Sequence, residues 1–336
     1  MTTPSKPSVL VTGGAGYIGS HAVLALRDAG WDVAVIDNLT TGFRFAIPGG
    51  VQLYEGDIED STLLARIFAE QKTGAIMHFA GSIIVPESVE NPLKYYHNNT
   101  VKSRALIDAA VQAGVPHFIF SSTAATYGVP EVSPVSETTP QVPINPYGWS
   151  KLMTEQMLKD TAFAHDINFC ALRYFNVAGA DPKGRSGQST AGATHLIKVA
   201  VEAALGKRDS VGVFGTDFDT PDGTGVRDYI HVSDLAAAHV LALEALIQQP
   251  DRNLTMNCGY GSGFSVLQVL DAVDRVTNRT ITRIMGPRRA GDPASLISDP
   301  SRIRSTLPWH PKHADLDEII GHALQWERKL GDIRGD

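Results

Sequence analysis

Cysteine is nearly absent from this chain. Cys170 and Cys258 stand alone in apolar strand-like runs; two such residues make neither a disulfide framework nor a structural zinc site, and they read as buried thiols of a reducing compartment, the cytoplasm. Long apolar runs are missing too, so no segment approaches the length of a membrane span. Met1–Pro7 carries one lysine and is followed by a strand pattern rather than by the apolar stretch of a signal peptide. Net positive charge is also lacking: 29 Lys and Arg face 36 Asp and Glu, a formal −7. That balance gives no general attraction to nucleic acid or anionic membranes, and any phosphate must be held by local groups. No internal repeat, low-complexity tract or linker interrupts the 336 residues. The chain is long enough for one large domain or for a nucleotide-binding domain with a smaller partner.

Glycine is present where it carries information. Ser8–Thr12 reads as an apolar strand, Gly13, Gly16 and Gly19 punctuate the turn after it, and Tyr17–Ala29 has helical spacing. Glycines at a strand-to-helix turn allow positive φ and let backbone N–H groups approach a pyrophosphate at the helix N-terminus. The next strand, Asp32–Ile36, runs into Asp37–Asn38. It places a carboxylate about 20 residues beyond the glycines, where it can accept hydrogen bonds from ribose hydroxyls. An acidic group here repels a 2′-phosphate and favours NAD over NADP, with Arg44 the one nearby residue of opposite tendency.

The rhythm continues through strand Val51–Tyr54, helix Ser61–Gln71, strand Ala75–Phe79, helix Pro92–Ala113 and strand His117–Ser122. Such alternation predicts an α/β fold, a Rossmann-type doubly wound parallel sheet. Asp57 and Phe79–Ala80–Gly81 fall at the carboxyl ends of strands, where ligands bind in open α/β sheets; capping of the helix near Ser61 is the alternative role for Asp57. Beyond the loop Gly128–Pro146, helix Tyr147–Ala164 and strand Asn168–Tyr174, regularity fades. Asn176–Gly192 and Gly215–Gly225 are irregular and rich in glycine and aspartate. Long loops of this kind are usually functional, and they predict a smaller C-terminal α/β substrate lobe. The expected division is 1–175 for the dinucleotide domain, with part of the later chain returning to it, and 176–336 for the lobe. Leu316–Leu330 reads as a closing helix and Gly331–Asp336 as a frayed tail.

Tyr147 and Lys151 sit four residues apart at the start of a helix, a spacing that stacks both side chains on one face. An ammonium beside a phenol favours the phenolate, and Lys151 with a bound nicotinamide cation would pull Tyr147 down from a reference pKa of about 10 towards neutrality. Thr123, at the end of the strand that carries Ser121–Ser122, offers a hydroxyl to the substrate oxygen. The alternatives are a packed tyrosine and a solvated lysine. No metal is expected, because His231 and His239 flank Ser233–Asp234 without the spacing of a zinc helix and read as packing or capping residues.

With these come His78–Phe79–Ala80–Gly81, Glu87–Ser88, Tyr95–Tyr96 with Asn98–Asn99, Phe120–Ala124, Pro146–Gly148, Leu172–Asn176, Gly223–Val232 and Pro287–Asp292. Over nearly its whole length the chain resembles the extended short-chain dehydrogenase/reductase family, in its nucleotide-sugar 4-epimerase branch. The resemblance implies an isomerase that interconverts UDP-glucose and UDP-galactose: Tyr147 removes the O4 proton, tightly held NAD accepts the C4 hydride, and the transient 4-ketose is reduced on its opposite face. It implies cofactor contacts from Gly13, Gly16, Tyr17, Ile18, Gly19, Asp37, Asn38, Asp57, Ile58, Phe79, Ala80, Gly81, Asn98, Ser121, Tyr147, Lys151 and Tyr174. For the UDP-hexose it implies Thr123, Asn176, His195, Leu196, Phe214, Arg227, Arg289, Asp292 and Leu296. Arginine forks match phosphate oxygens and explain how an acidic protein holds a diphosphate, although Arg227 could instead pair internally with Asp228. A homodimer is implied as well, through a four-helix interface built from Pro92–Ala113 and Tyr147–Ala164.

Departures from the family pattern narrow the expectation. Ser82–Ile83 stands where several relatives place a lysine, so that cationic contact to NAD is absent or supplied from elsewhere. Thr123 is followed by Ala124–Ala125 rather than by the carboxylates of the sugar dehydratases, which leaves dehydration without its extra acid and base. Leu296 occupies a place where a large aromatic restricts relatives to unacetylated sugars and a small residue admits N-acetylhexosamines. UDP-N-acetylhexosamines and UDP-uronic acids remain the alternative substrates, and a nucleotide-sensing protein without catalysis the alternative class.

Overall fold

A computed structural model describes residues 6–289 and 291–334. By its contacts the chain divides into two units. The first comprises residues 1–126, 145–173 and 236–256, the second 127–144, 174–235 and 257–336. The chain therefore passes between units several times: the loop Tyr127–Ile144 is grouped with the second unit and most of the helix Val232–Gln248 with the first.

The first unit is built on β1 (Ser8–Thr12), α1 (Tyr17–Asp28), β2 (Val33–Asp37), β3 (Gln52–Glu55), α2 (Ser61–Gln71), β4 (Thr73–His78), α3 (Val85–Glu90), α4 (Pro92–Tyr95), α5 (Lys102–Ala113), β5 (His117–Thr123), α6 (Pro146–Ala164) and β6 (Asn168–Tyr174). The sheet has seven strands in the order Leu254–Cys258, β6, β5, β4, β1, β2, β3. Pairing from β3 through β5 is parallel, with Leu10 opposite Ala34 on one side and Ile76 on the other. The order reverses between β1 and β4, and ligands of doubly wound sheets bind at such a switch point. Strands buried on both faces read as continuous apolar runs: Val9, Leu10 and Val11 are fully buried, as are Ala34, Val35 and Ile36. Leu106 and Leu158 pack with Leu10, Ile76, Phe118 and Phe120 in the core.

Two expectations change in detail. The stretch Pro92–Ala113 is not one α-helix, since Tyr96–Val101 between α4 and α5 winds as a π-helix. The C-terminal helix runs Leu316–Arg334, so Gly331–Arg334 belong to it and do not fray; Gly335 and Asp336 lie outside the described residues.

In the second unit the loops carry short pieces of sheet. Asn176–Ala178 pairs with Tyr229–His231, and Val211–Phe214 pairs with Arg283–Gly286, both in parallel. Val226–Arg227 lies between Phe264–Ser265 and Ser295–Leu296. Helices Leu196–Ala204, Val266–Thr277 and Leu316–Arg334 belong to this unit. The second of these begins with a complete capping box between Ser265 and Gln268.

Candidate active site

The glycine turn is held from three directions. Gly13 has φ +68°, and a Cβ there would lie 2.7 Å from the Ala80 nitrogen, so only glycine lets β1 and the end of β4 approach this closely. A Cβ on Gly19 would strike the Gly13 carbonyl at 2.1 Å. Asp37 closes the third side, its two carboxylate oxygens accepting from Ala15 N–H (2.9 Å) and Leu39 N–H (2.8 Å). Burial raises the Asp37 pKa, and these two N–H donors act against the rise. Gly16 is the N-cap of α1 and places no side chain over the first turn, where Tyr17 and Ile18 follow. This is the cradle a pyrophosphate requires.

Around it, Asn38 Nδ2 donates to Asp57 (3.2 Å) and Lys102 Nζ does so at 2.6 Å. The cap of α2 is Asp60, which accepts from Leu63 N–H, so Asp57 does not have that role. Ile58 is buried beside it. Arg44 is paired with Glu55. Phe79 and Ala80 donate their N–H groups to the Thr12 carbonyl and hydroxyl, and the Phe79 ring packs 4.8 Å from His239.

His78 is locked by a chain of donors. Ser103 donates its hydroxyl proton to the Asn99 carbonyl (2.6 Å) and so receives His78 Nε2–H (2.8 Å), leaving Nδ1 to accept from Thr12 (2.7 Å). Burial, with the charge of Lys151, pushes the His78 pKa down to about 3 and keeps the ring neutral.

Tyr147, Lys151 and Thr123 meet where α6 crosses the end of β5, and all three are buried. Asn145 caps α6 by accepting from Gly148 N–H (2.9 Å), and Pro146 occupies the first helical position. Lys151 Nζ donates to the Ser121 carbonyl (3.0 Å) and lies 5.0 Å from the Phe120 ring centre. Burial pushes the lysine down to about 8. It also raises the Tyr147 pKa, against the lowering effect of Thr123, whereas the sequence leads one to expect a phenol acidified by its lysine. The physical reason is desolvation, which disfavours phenolate and ammonium alike.

Asn99 was not foreseen as a site residue. Its Oδ1 accepts from Ser82 N–H (2.7 Å) and its Nδ2 donates to the Ser82 carbonyl and to Ser150 Oγ, so it ties the loop after Gly81 to the residue before Lys151. Asn98 donates to Ser82 Oγ (3.0 Å). Both lie in the π-helical segment, a distortion frequent at functional sites and invisible to apolar periodicity.

Glu155, one turn beyond Lys151, forms a buried two-pronged pair with Arg173 (2.9 and 2.6 Å) and accepts from Ser122 Oγ at 2.5 Å. This pair fixes α6 against β5 and β6 beside Thr123. Trp149 is partly exposed.

The second unit gathers the remaining candidates, and Tyr174 is grouped with it by its contacts. Arg227 pairs with Asp292 (3.7 Å) and its Nη1 donates to the Val226 carbonyl (2.9 Å). Asp228 does not take the arginine. It accepts from Tyr260, Gly261 and Ser298 N–H and from Ser298 Oγ, which leaves Arg227 for other partners. The Arg289 guanidinium lies 3.9 Å from the centre of the Phe214 ring. Leu296 is opposite Arg227 in the strand register. Asn176 begins its strand, exposed, beside Tyr229. His195 precedes helix Leu196–Ala204, half-buried, 3.3 Å from Gln188, and burial lowers its pKa.

A dinucleotide cradle beside a buried Thr-Tyr-Lys set defines an enzyme that oxidises and reduces a carbinol with NAD. A family model described as "NAD dependent epimerase/dehydratase family" matches residues 9–259, and the chain belongs to that family. It is 56% identical over 328 residues to a UDP-glucose 4-epimerase of Azospirillum brasilense, covering 98% of this chain and 94% of that one. A structure of UDP-glucose 4-epimerase from Brucella ovis in complex with NAD is 45% identical with TM-score 0.92, covering 95% of this chain and 98% of that one. The UDP-Glc/GlcNAc 4-epimerase of Campylobacter jejuni is 47% identical with TM-score 0.84, over 96% of this chain and 100% of that one. NAD is the cofactor of this family, and the cradle fits it.

Proposed function

We propose that this protein interconverts UDP-glucose and UDP-galactose by transient oxidation at C4, with Tyr147 as the acid and base. The observation that carries the proposal is the burial of Tyr147, Thr123 and Lys151 together on the unit that holds the dinucleotide cradle, with Lys151 Nζ held by the Ser121 carbonyl (3.0 Å). Bound NAD supplies a hydride acceptor for C4 that becomes the donor in the return half-reaction. Tyr147 takes the O4 proton as the carbinol becomes a ketone and gives it back as the ketone is reduced, so protons and electrons balance over the cycle. Thr123 holds the reacting oxygen by its hydroxyl. Lys151, fixed by the Ser121 carbonyl, supplies a positive charge beside the phenol and a donor for the nicotinamide ribose.

In the first unit Gly13, Gly16, Tyr17, Ile18 and Gly19 would hold the pyrophosphate, Asp37 and Asn38 the ribose, Asp57 and Ile58 the adenine side. Phe79, Ala80, Gly81, Asn98 and Ser121 would line the rest, and Tyr174, grouped with the second unit, is the remaining cofactor candidate. In the second unit Arg227 and Arg289 would hold the diphosphate, Phe214 the uracil, and Asn176, His195, Leu196 and Asp292 the remaining nucleotide contacts. Purified protein incubated with UDP-galactose and no added cofactor is expected to form UDP-glucose; protein that carries and captures no NAD, and forms none, overturns the reading.

The similarity to the Campylobacter jejuni enzyme favours one second reading, turnover of the N-acetylated pair. Leu296, neither small nor aromatic, supports a preference for the unacetylated sugars, and equal turnover of UDP-N-acetylglucosamine would remove it. A homodimer is supported by apolar side chains left exposed on the helical face of the first unit: Leu93 at 78%, Val101 at 47% and Met153 at 41%. Light scattering would give twice the chain mass. Two buried cysteines outside any disulfide suit a cytoplasmic setting, and no described helix is long and apolar enough to cross a membrane.

A further inference from the structure

The second unit brings together three imidazoles, none of which is assigned above to cofactor or substrate. The ring centres of His231, His313 and His322 lie 4.7, 5.2 and 5.7 Å apart pairwise. Glu318 and His322 are four apart on the C-terminal helix and so share a face, while His313 lies in the segment that leads into it. One ligand atom from each of His313, Glu318 and His322 falls within 4.8 Å of the others, and all three side chains are partly exposed and reachable from solvent.

We propose that His313, Glu318 and His322 form a binding site for a divalent transition metal of the zinc class, which clips the start of the C-terminal helix to the segment before it. Two imidazoles and a carboxylate are a ligand set zinc accepts in three-ligand sites, with bonds of about 2.0–2.2 Å that put neighbouring ligand atoms about 3.4 Å apart. Here they need move little. His313 Nδ1 stands 2.7 Å from Glu318 Oε1, and an intervening ion widens that gap while taking over its electrostatic role. His231 supports the set from behind. Ser233 N–H donates to His231 Nδ1 (3.0 Å), which puts the proton of the neutral ring on Nε2, 3.1 Å from His322 Nδ1. A metal bond at that nitrogen forms by displacing the His231 donor, so the site fills only when the ion competes with an existing hydrogen bond. Spacing alone hid the cluster, because the sequence separates its members as H-x4-E-x3-H with His231 some 80 residues upstream.

The test uses the full chain freed of metal by chelator and dialysis. Titration with Co2+ is expected to give visible absorption bands saturating at one ion per chain. Zn2+ at about 100 times its dissociation constant is expected to raise the unfolding temperature by about 4 °C. His322→Ala and Glu318→Gln should each weaken Co2+ binding at least tenfold by the titration midpoint, with UDP-galactose conversion unchanged. No saturable Co2+ binding in the parent chain overturns the proposal, whatever the variants do. So does binding that persists undiminished in a folded His313→Ala, His322→Ala double variant, which would put the ion elsewhere.

Discussion

The two units hold their candidate residues in opposite ways. In the first, Thr123, Tyr147 and Lys151 stand on a seven-residue strand and a nineteen-residue helix, and Lys151 is only 4% exposed. Buried pairs brace them, above all Glu155 with Arg173. In the second, Arg227 and Leu296 stand on two-residue strands, Phe214 is 40% exposed, and Asp292 offers a side chain 39% exposed. The contrast suits the work proposed for each. Proton transfer tolerates little misplacement and no stray water, so it is built on regular elements. Recognition of a charged, solvated nucleotide needs donors that remain accessible until the ligand arrives.

Breaking the buried half should cost most. Tyr147→Phe removes the proposed acid and base and is expected to lower conversion of UDP-galactose roughly 10²–10⁴-fold in a steady-state assay, with bound NAD content unchanged. Arg173→Ala strands the Glu155 carboxylate in the core and should cost about 3–5 kcal/mol in urea unfolding, whereas replacing both partners by apolar residues should cost far less.

The loop-built half should give smaller and different losses. Arg227→Ala removes charge-assisted hydrogen bonds of about 1.5–3 kcal/mol, so KM for UDP-galactose should rise roughly 10–100-fold with stability little altered. A fall in kcat alone would place Arg227 with the chemistry instead.

On stability Lys151 gives an effect smaller than that of Arg173, and a signed one. Burial holds it at about 8 against an ordinary 10.5, so between those values the folded chain binds fewer protons than the unfolded one. Its contribution to stability therefore rises with pH across that window and is least favourable below pH 8, where a buried charge is retained. Lys151→Met should stabilise the fold by about 1–3 kcal/mol at pH 7 and by less above pH 10, while activity is lost. Equal unfolding midpoints at pH 7 would contradict this.

The same contrast governs how much the sequence reveals. Buried strands declare themselves as apolar runs, so the sheet through β5 is legible to within one or two residues at each strand end, and the turn at Gly13–Gly19 directly. Tyr147, Lys151 and Thr123 are legible because helical spacing and a strand end fix their neighbourhood. Asn99 is not, since its partners Ser82 and Ser150 are 17 and 51 residues away and its helix is a π-turn. Nor does sequence foretell that Asp228 serves Tyr260, Gly261 and Ser298, leaving Arg227 to Asp292, because those partners arrive through pairings of two-residue strands. The rise of the Tyr147 pKa was likewise beyond reach, as it depends on how completely α6 and β5 exclude water.

The central claim is that hydrogen leaves C4 as hydride and returns to the same carbon. UDP-glucose carrying deuterium at C4, incubated with the protein in ordinary water, tests it most directly by NMR of the product. The account predicts UDP-galactose with the deuterium still at C4. Loss of the label to solvent would mean that C4 gives up a proton, and would contradict it.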